Sequence, residues 1–257
     1  MPDPSRKSAP SSRKEQVLSL LKERTSASIS EIAGKVGVSE MTVRRDLHQL
    51  SETGHVIRIP GGARITRSIT FERAFAERLQ KMAAAKDRIG RLAASLIQEG
   101  DSVVLDSGTT TLSIARHLRR HRNIVVFTFS LAVLEELMPV DSVRVELTGG
   151  TYRRNSHDLI GTAADESLVK VCASKVFFGA AAVSFSRGVM VYDPEAPRAL
   201  LQSARERILV ADSSKIGSEA LYHFSPLSSC DLILTDDGVK PQDLDRLRKE
   251  CKVMVAE

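Results

Sequence analysis

The chain has 257 residues, 42% hydrophobic and 27% charged, which is enough apolar material for a packed core and excludes wholesale disorder. No apolar run approaches the roughly 18 residues that cross a bilayer, so no membrane-spanning helix is expected and no membrane partner. Formal net charge is +5, and residues 1–66 hold 11 Lys and Arg against 7 Asp and Glu while the remainder holds 26 against 25. A basic surplus confined to the first quarter suits a polyanion partner there.

In chain order, residues 1–12 read as a Pro- and Ser-rich flexible tail, with Arg6 and Lys7 but no apolar stretch of a secretory signal behind them. A first helix is predicted over Lys14–Lys22, with Val17, Leu18 and Leu21 on one face. Ser30 is expected to cap a short second helix, Glu31–Val36, and Gly37 supplies a sharp turn. Ser39 then caps a third helix, Glu40–Thr53. Helix, glycine turn and capped helix form the helix-turn-helix pattern.

At about 100° per residue, Val43, Leu47 and Leu50 share the core face of the third helix, and Met41, Arg45 and His48 point away, flanked by Thr42 and Arg44. Such a helix presents its N-terminal residues to the major groove of a double-stranded DNA operator. Arg44 and Arg45 are expected at bases or phosphates, Met41 and His48 at base edges, Ser39 and Thr42 at phosphates. Asp46, near the core flank, is expected to orient an arginine or hold an adjacent helix. A strand, His55–Ile59, followed by Gly61 and Gly62, reads as a wing carrying Arg58 and Arg64 to the backbone or minor groove.

Residues 67–86 read as a charged connector. From residue 87 short apolar runs alternate with helical patterns, which indicates an α/β domain with a mostly parallel sheet covered on both faces. Helices are expected over Thr110–Arg120, Leu131–Met138, Ala163–Val171, Glu195–Arg205 and Gln242–Cys251. Strands are expected at Ser102–Asp106, Ile124–Phe127, Val143–Leu147, Lys175–Phe178, Ile208–Ala211, Leu232–Leu234 and Val253–Val255.

Three polar clusters fall at strand ends, where open α/β sheets gather ligands. Asp106, Ser107, Gly108, Thr109, Thr110 and Thr111 combine a helix N-terminus, a small residue and hydroxyls, which is chemistry for a phosphate. Gly149, Gly150 and Arg153 offer close backbone approach and an anion partner, and Asp212 with Lys215 offers a sugar-hydroxyl acceptor and a cation. His117 and His121 raise the question of zinc, but no third ligand stands near them, so neither metal nor cofactor is expected. Cys172, Cys230 and Cys251, odd in number and far apart, read as free thiols of a reducing cytoplasm.

The run Val38-Ser39-Glu40-Met41-Thr42-Val43-Arg44-Arg45-Asp46-Leu47, with Leu50, Gly54, Arg58 and Gly61-Gly62-Ala63, resembles the DNA-binding half of the DeoR family of bacterial transcription regulators. From Lys86 onward the chain resembles that family's sensor domain, through Asp106–Thr111, Thr128 with Ser130, Gly149-Gly150, Gly161, Phe178-Gly179, Ala211–Lys215 and Thr235-Asp236. The resemblance implies a winged helix-turn-helix domain at 13–66 and a sugar-phosphate-isomerase-like sensor at 87–257. It also implies a phosphorylated sugar or related effector, with Thr128 in its site, and a homodimer or larger assembly acting as a repressor. The sequence departs from the family at Asp193, Pro194 and Pro197, where a Glu-Ala pair and a Lys are usual, and at Phe129, where Asn is usual. Two other readings stand beside this one: an isomerase with a DNA-binding head, using Asp106, Asp193, Asp212 and Lys215, or an α/β half that only dimerises.

Overall fold

A computed structural model of the chain describes residues 13–24, 26–52, 56–65, 75–193 and 197–257. The expected tail, Gly54, His55, the first part of the connector (67–74) and Pro194 to Ala196 lie outside the described residues. The chain divides into two compact units between Arg73 and Ala74.

The first unit runs α1 (Arg13–Arg24), β1 (Ser26–Ser28), α2 (Ile29–Val36), α3 (Glu40–Glu52), β2 (Val56–Ile59) and β3 (Gly62–Ile65). The strands form an antiparallel sheet in the order β1-β3-β2. Val17, Leu21, Ile32, Val43 and Leu47 close its core. Helix α2 starts earlier than expected, because Ser28 and not Ser30 is its cap. Glu31 N–H donates to Ser28 Oγ at 3.2 Å and the Glu31 carboxylate accepts from Ser28 N–H at 2.7 Å, a reciprocal box that satisfies two orphan donors. Gly37 ends α2 in the left-handed conformation its lack of a Cβ permits.

Asp46 faces inward on α3 and is 2% exposed. The Arg13 guanidinium donates to both its oxygens, at 2.6 and 2.9 Å, so α1 is clamped to α3 by a two-pronged ion pair. This hydrogen bonding holds the Asp46 carboxyl below its ordinary range against the opposing effect of burial.

The second unit opens with α4 (Phe75–Gln80) and α5 (Ala83–Ser95), so helical structure begins well inside the connector expected at 67–86. It continues β4 (Ser102–Leu105), α6 (Thr109–His117), β5 (Ile124–Thr128), α7 (Leu131–Leu137), β6 (Val143–Leu147), β7 (Thr151–Arg153), β8 (Asp158–Ile160) and α8 (Thr162–Val169). Then come β9 (Ala173–Phe178), β10 (Ala182–Ser184), β11 (Gly188–Val191), β12 (Ala204–Val210), β13 (Tyr222–Ser225), β14 (Leu232–Asp236), α9 (Pro241–Glu250) and β15 (Lys252–Ala256). Seven strands form a wholly parallel sheet in the order β15-β14-β12-β9-β4-β5-β6. Alternate residues feed two cores: Val103, Leu105 and Phe177 pack on one face, Val104, Val176 and Phe178 on the other.

The helix expected over Glu195–Arg205 is not what residues 198–205 form. Arg198–Gln202 makes a short 3-10 turn after Pro197, and Ala204 already pairs with Ala173 as the start of β12. Pairing along β9 overrides the helical spacing of this stretch. His117 Nε2 lies 2.9 Å from Asp87 and His121 Nε2 3.1 Å from the Ala94 carbonyl, so both bind α5.

Two measurements test this packing. A Cβ at Gly90 would lie 2.7 Å from the Ser113 carbonyl, so Gly90→Ala is expected to force α5 from α6 and cost about 1–3 kcal/mol in urea unfolding. Because the Asp46 carboxyl is depressed in the fold, the stability Arg13 supplies is present above the unfolded carboxylate pKa and lost as pH falls through the folded value. The difference in thermal midpoint between the native chain and Arg13→Ala should therefore shrink in acid; a difference independent of pH would reduce Arg13 to packing.

Candidate functional site

Two surfaces carry the chemistry. In the first unit, Met41 (75% exposed), Arg44, Arg45 and His48 project outward from α3 while Val43, Leu47 and Leu50 are buried. Ser39 caps α3 through a 3.3 Å bond from Thr42 N–H, and its hydroxyl lies 3.0 Å from that of Thr42. Arg44 sits 3.7 Å from Glu40 in a pair exposed on both sides, too weak to fix it. An open groove brings Met41, Thr42, Arg44, Arg45 and His48 together with Arg13 and Lys14 of α1, Gln49, and Arg58 of β2. Sequence reasoning did not single out Arg13, Lys14 or Gln49. Their signal is the fold of α1 onto α3, which Asp46 enforces.

The wing glycines divide. Gly61, with φ +74°, makes the β2–β3 turn. Gly62 is buried, and a Cβ there would meet the Ala27 carbonyl at 2.3 Å. Gly62, expected at DNA, therefore answers to the passage of β1. Arg58 and Arg64 are exposed.

The second surface lies at the carboxyl ends of the parallel strands. Strand order reverses at β4, whose sequence neighbour β5 lies on one side and β9 on the other, and such a reversal opens a crevice. Asp106, just beyond β4, accepts from Ser107 N–H at 2.6 Å and from Gly179 N–H, just beyond β9, at 2.8 Å. Burial pushes the Asp106 carboxyl upward, and these two amides oppose the rise. Helix α6 begins here. Its first intrahelical bond runs from Leu112 N–H to the Gly108 carbonyl at 3.0 Å, which leaves the amides of Thr109, Thr110 and Thr111 in the donor-rich first turn. The Thr109 and Thr110 side chains lie in the same turn.

Several residues expected at an effector are committed to the fold. Thr111 Oγ1 donates to the carbonyls of Asp106 and Gly108 at 2.6 and 2.7 Å, and Thr128 Oγ1 donates to the Leu105 carbonyl at 2.7 Å. Ser107 Oγ donates to Asp158 at 2.6 Å. Arg153 grips the fully buried Asp158 with two nitrogens, at 3.0 and 2.7 Å, and extends a third to Asp193. Its charge is already met by two carboxylates, which displaces the reading of Arg153 as a direct anion ligand. Gly150 (φ +137°) is needed because a Cβ would lie 2.6 Å from the Ile160 carbonyl, so it too serves the β7–β8 hairpin; at Gly149 a Cβ would touch only Ala163, at 3.5 Å.

Asp212 follows β12, is buried, and accepts from Ser214 N–H at 3.1 Å and Ser214 Oγ at 2.5 Å. Close enough to act on each other electrostatically are Asp212, Lys215 and a residue that sequence reasoning left in the connector, Lys86 of α5. Lys86 is 5% exposed, and its ammonium donates to the Arg78 carbonyl of α4. Burial drives its pKa down to about 8; Asp212 pulls it back up, while Lys215, Arg78 and Lys81 push it further down. A buried ammonium that donates to a backbone carbonyl and lies in the field of Asp212 and Lys215 has the chemistry to meet an anion.

Comparison with known proteins identifies the family. Residues 13–68 match the DeoR-like helix-turn-helix domain and residues 81–237 the DeoR C-terminal sensor domain. The lactose phosphotransferase system repressor of Streptococcus mutans is 34% identical, covering 93% of this chain and 96% of that protein. The HTH-type transcriptional repressor GlcR of Bacillus subtilis is 32% identical over 86% of each chain. These relatives are named as regulators and not as enzymes. Among solved structures, ribose 5-phosphate isomerase A of Methanocaldococcus jannaschii aligns at a TM-score of 0.38 and 15% identity over 52% of this chain and 55% of that one, too slight a likeness to speak to function. With both of its units matched, and relatives aligned along nearly its whole length, the chain belongs to the DeoR family of helix-turn-helix transcriptional regulators.

Proposed function

We propose that the chain is a repressor of sugar-metabolism genes that binds its operator through α3 and is released by a phosphorylated sugar or a related metabolite held at the crevice. The observation that carries the effector half is Lys86, a buried ammonium hydrogen-bonded to a backbone carbonyl and drawn on electrostatically by Asp212. The effector's phosphate sits against Lys86, Lys215 and the first turn of α6, with Thr109 and Thr110 as hydroxyl donors. Asp106 lies just beyond β4 and Asp212 beyond β12, and these strands are two spacings apart, or about 10 Å. That span suits a molecule with an anion at one end and hydroxyl groups at the other. The named role of the Streptococcus mutans relative, repression of a lactose phosphotransferase system, supports sugar genes as the target. In a homodimer, two copies of α3 enter successive major grooves about one helical turn apart.

Replacing Arg44 and Arg45 together by Ala should weaken binding to the intergenic DNA beside the gene by about 10- to 100-fold and flatten the dependence of log affinity on log salt. Native-like affinity in a folded double variant would remove α3 from the groove. For the crevice, the readout is thermal stabilisation by inorganic phosphate and by a panel of pentose and hexose phosphates. An anion pairs with Lys86 only while it is protonated, so stabilisation by the sugar phosphates should peak between their second ionisation, about 6, and the Lys86 value of about 8, then fall as pH rises. Lys86→Met should abolish the alkaline fall along with most of the stabilisation, and Thr109→Val and Lys215→Ala should weaken it without touching DNA binding. Stabilisation that persists unchanged well above pH 8 would place the phosphate elsewhere.

A further inference from the structure

Helix α4 is the first element of the second unit, and residues 66–74 join it to β3 of the DNA-binding unit. It is fastened at both ends. At its start, Phe75 N–H donates to the Asn155 carbonyl at 3.0 Å, at the tip of the β7–β8 hairpin. The Phe75 ring also lies 6.0 Å from the ring of His157, which in turn meets Tyr152 at 5.8 Å. Near its end, the Arg78 carbonyl accepts from the Lys86 ammonium. Arg78 folds back over the Phe75 ring at 5.5 Å.

Both fastenings lead to the crevice. The hairpin that holds Phe75 carries Arg153 and Asp158, and Asp158 accepts from Ser107 in the loop before α6. The same hairpin is stitched to the end of β5 by Leu131 N–H to the His157 carbonyl and Leu159 N–H to the Phe129 carbonyl, at 3.0 and 2.8 Å. Lys86 is the crevice cation itself. The joint between α4 and α5 is Met82, a residue with a side chain held at φ +55°. His157, at the other fastening, is held at φ +58°. Left-handed backbone at residues other than glycine persists only where surrounding contacts enforce it. Strain at both attachments marks α4 as an element whose seating the neighbouring contacts decide.

We propose that α4 is the output latch of the sensor: it is seated when the crevice is empty, and an anion that draws on Lys86 and the Ser107 loop loosens both fastenings and so changes the DNA-binding unit through residues 66–74. This rests on the effector reading above. An anion competes with the Arg78 carbonyl for the Lys86 ammonium. A change in the Ser107 loop alters the Asp158 carboxylate that sets the hairpin. A ligand shifts the equilibrium only by its different affinity for the seated and loosened states.

The test uses the full chain and two variants outside the anion seat. Phe75→Ala removes the ring from the clasp. His157→Asn removes the facing ring while keeping a residue that tolerates left-handed backbone. Operator affinity is measured first without ligand; each variant should bind about fivefold or more weakly than the native chain, as a loosened latch would. A folded variant with native affinity overturns the proposal, and this arm needs no effector, so it stands apart from any failure of phosphate to bind. In the second arm, thermal stabilisation by inorganic phosphate should persist in both variants, while the ligand-induced loss of operator affinity falls from about tenfold to under about twofold. Variants that release DNA on ligand binding as the native chain does also overturn it. Should Phe75→Ala fail to fold, His157→Asn alone decides both arms.

Discussion

The Lys86 ammonium is almost wholly out of water at the carboxyl edge of a parallel sheet, and it shares that place with Asp212, Lys215, Arg78 and Lys81. Burying a charge is costly unless a partner compensates it, and the hydrogen bond that Lys86 makes to the Arg78 carbonyl brings no opposite charge. The same nitrogen donates to the carbonyl of Arg78, so the group proposed to meet the anion also steadies the helix leading out of the domain. In the proposed mechanism, recognition and response therefore share one atom.

The crevice exists because of topology before chemistry. Strand β4 has β9 on one side and β5 on the other, and only such a reversal leaves the space into which α6 points its first turn. Asp106 then ties the ends of β4 and β9 through two backbone amides, and the buried Asp158 ties the hairpin to the α6 loop. In the first unit another buried carboxylate acts in the same way, since Asp46 fixes the start of α1 against α3 and leaves Arg44 and Arg45 outside. In each unit an inward carboxylate sets the frame.

What could be read from the sequence was whatever depends on near neighbours. The outward face of α3, the Gly37 turn and the apolar strands follow from periodicity and local backbone preference. The true cap of α2 was also legible, since Ser28 stands three residues before Glu31 as the capping box requires, and Ser30 does not. What escaped depends on contacts distant along the chain. Lys86 looked like one more charge among Arg73, Arg78 and Lys81, and nothing local reveals that it is buried. Gly62 and Gly150 looked like glycines kept for a ligand, but each is demanded by a strand passing close behind it. Arg153, Thr111 and Thr128 offered suitable donors, and the fold had already used them. The stretch after Pro197 has helical spacing, yet a free edge of β9 was available to it as a strand partner.

The physics of the two surfaces also constrains how they communicate. The residues of α3 are exposed, so their attraction for a polyanion is screened and depends steeply on salt. Lys86 is buried, and its interactions are screened far less. At physiological salt the field of a bound phosphate fades within about 8 Å in water, so a change of charge in the crevice is not by itself a signal. It becomes one by displacing backbone. The backbone bonded to Lys86 is that of α4, and the only covalent route from the crevice to the recognition helix passes through α4. A short helix held by a few contacts at each end, with left-handed residues at both attachments, can have two seatings of nearly equal free energy, which is what a modest effector affinity requires to switch it.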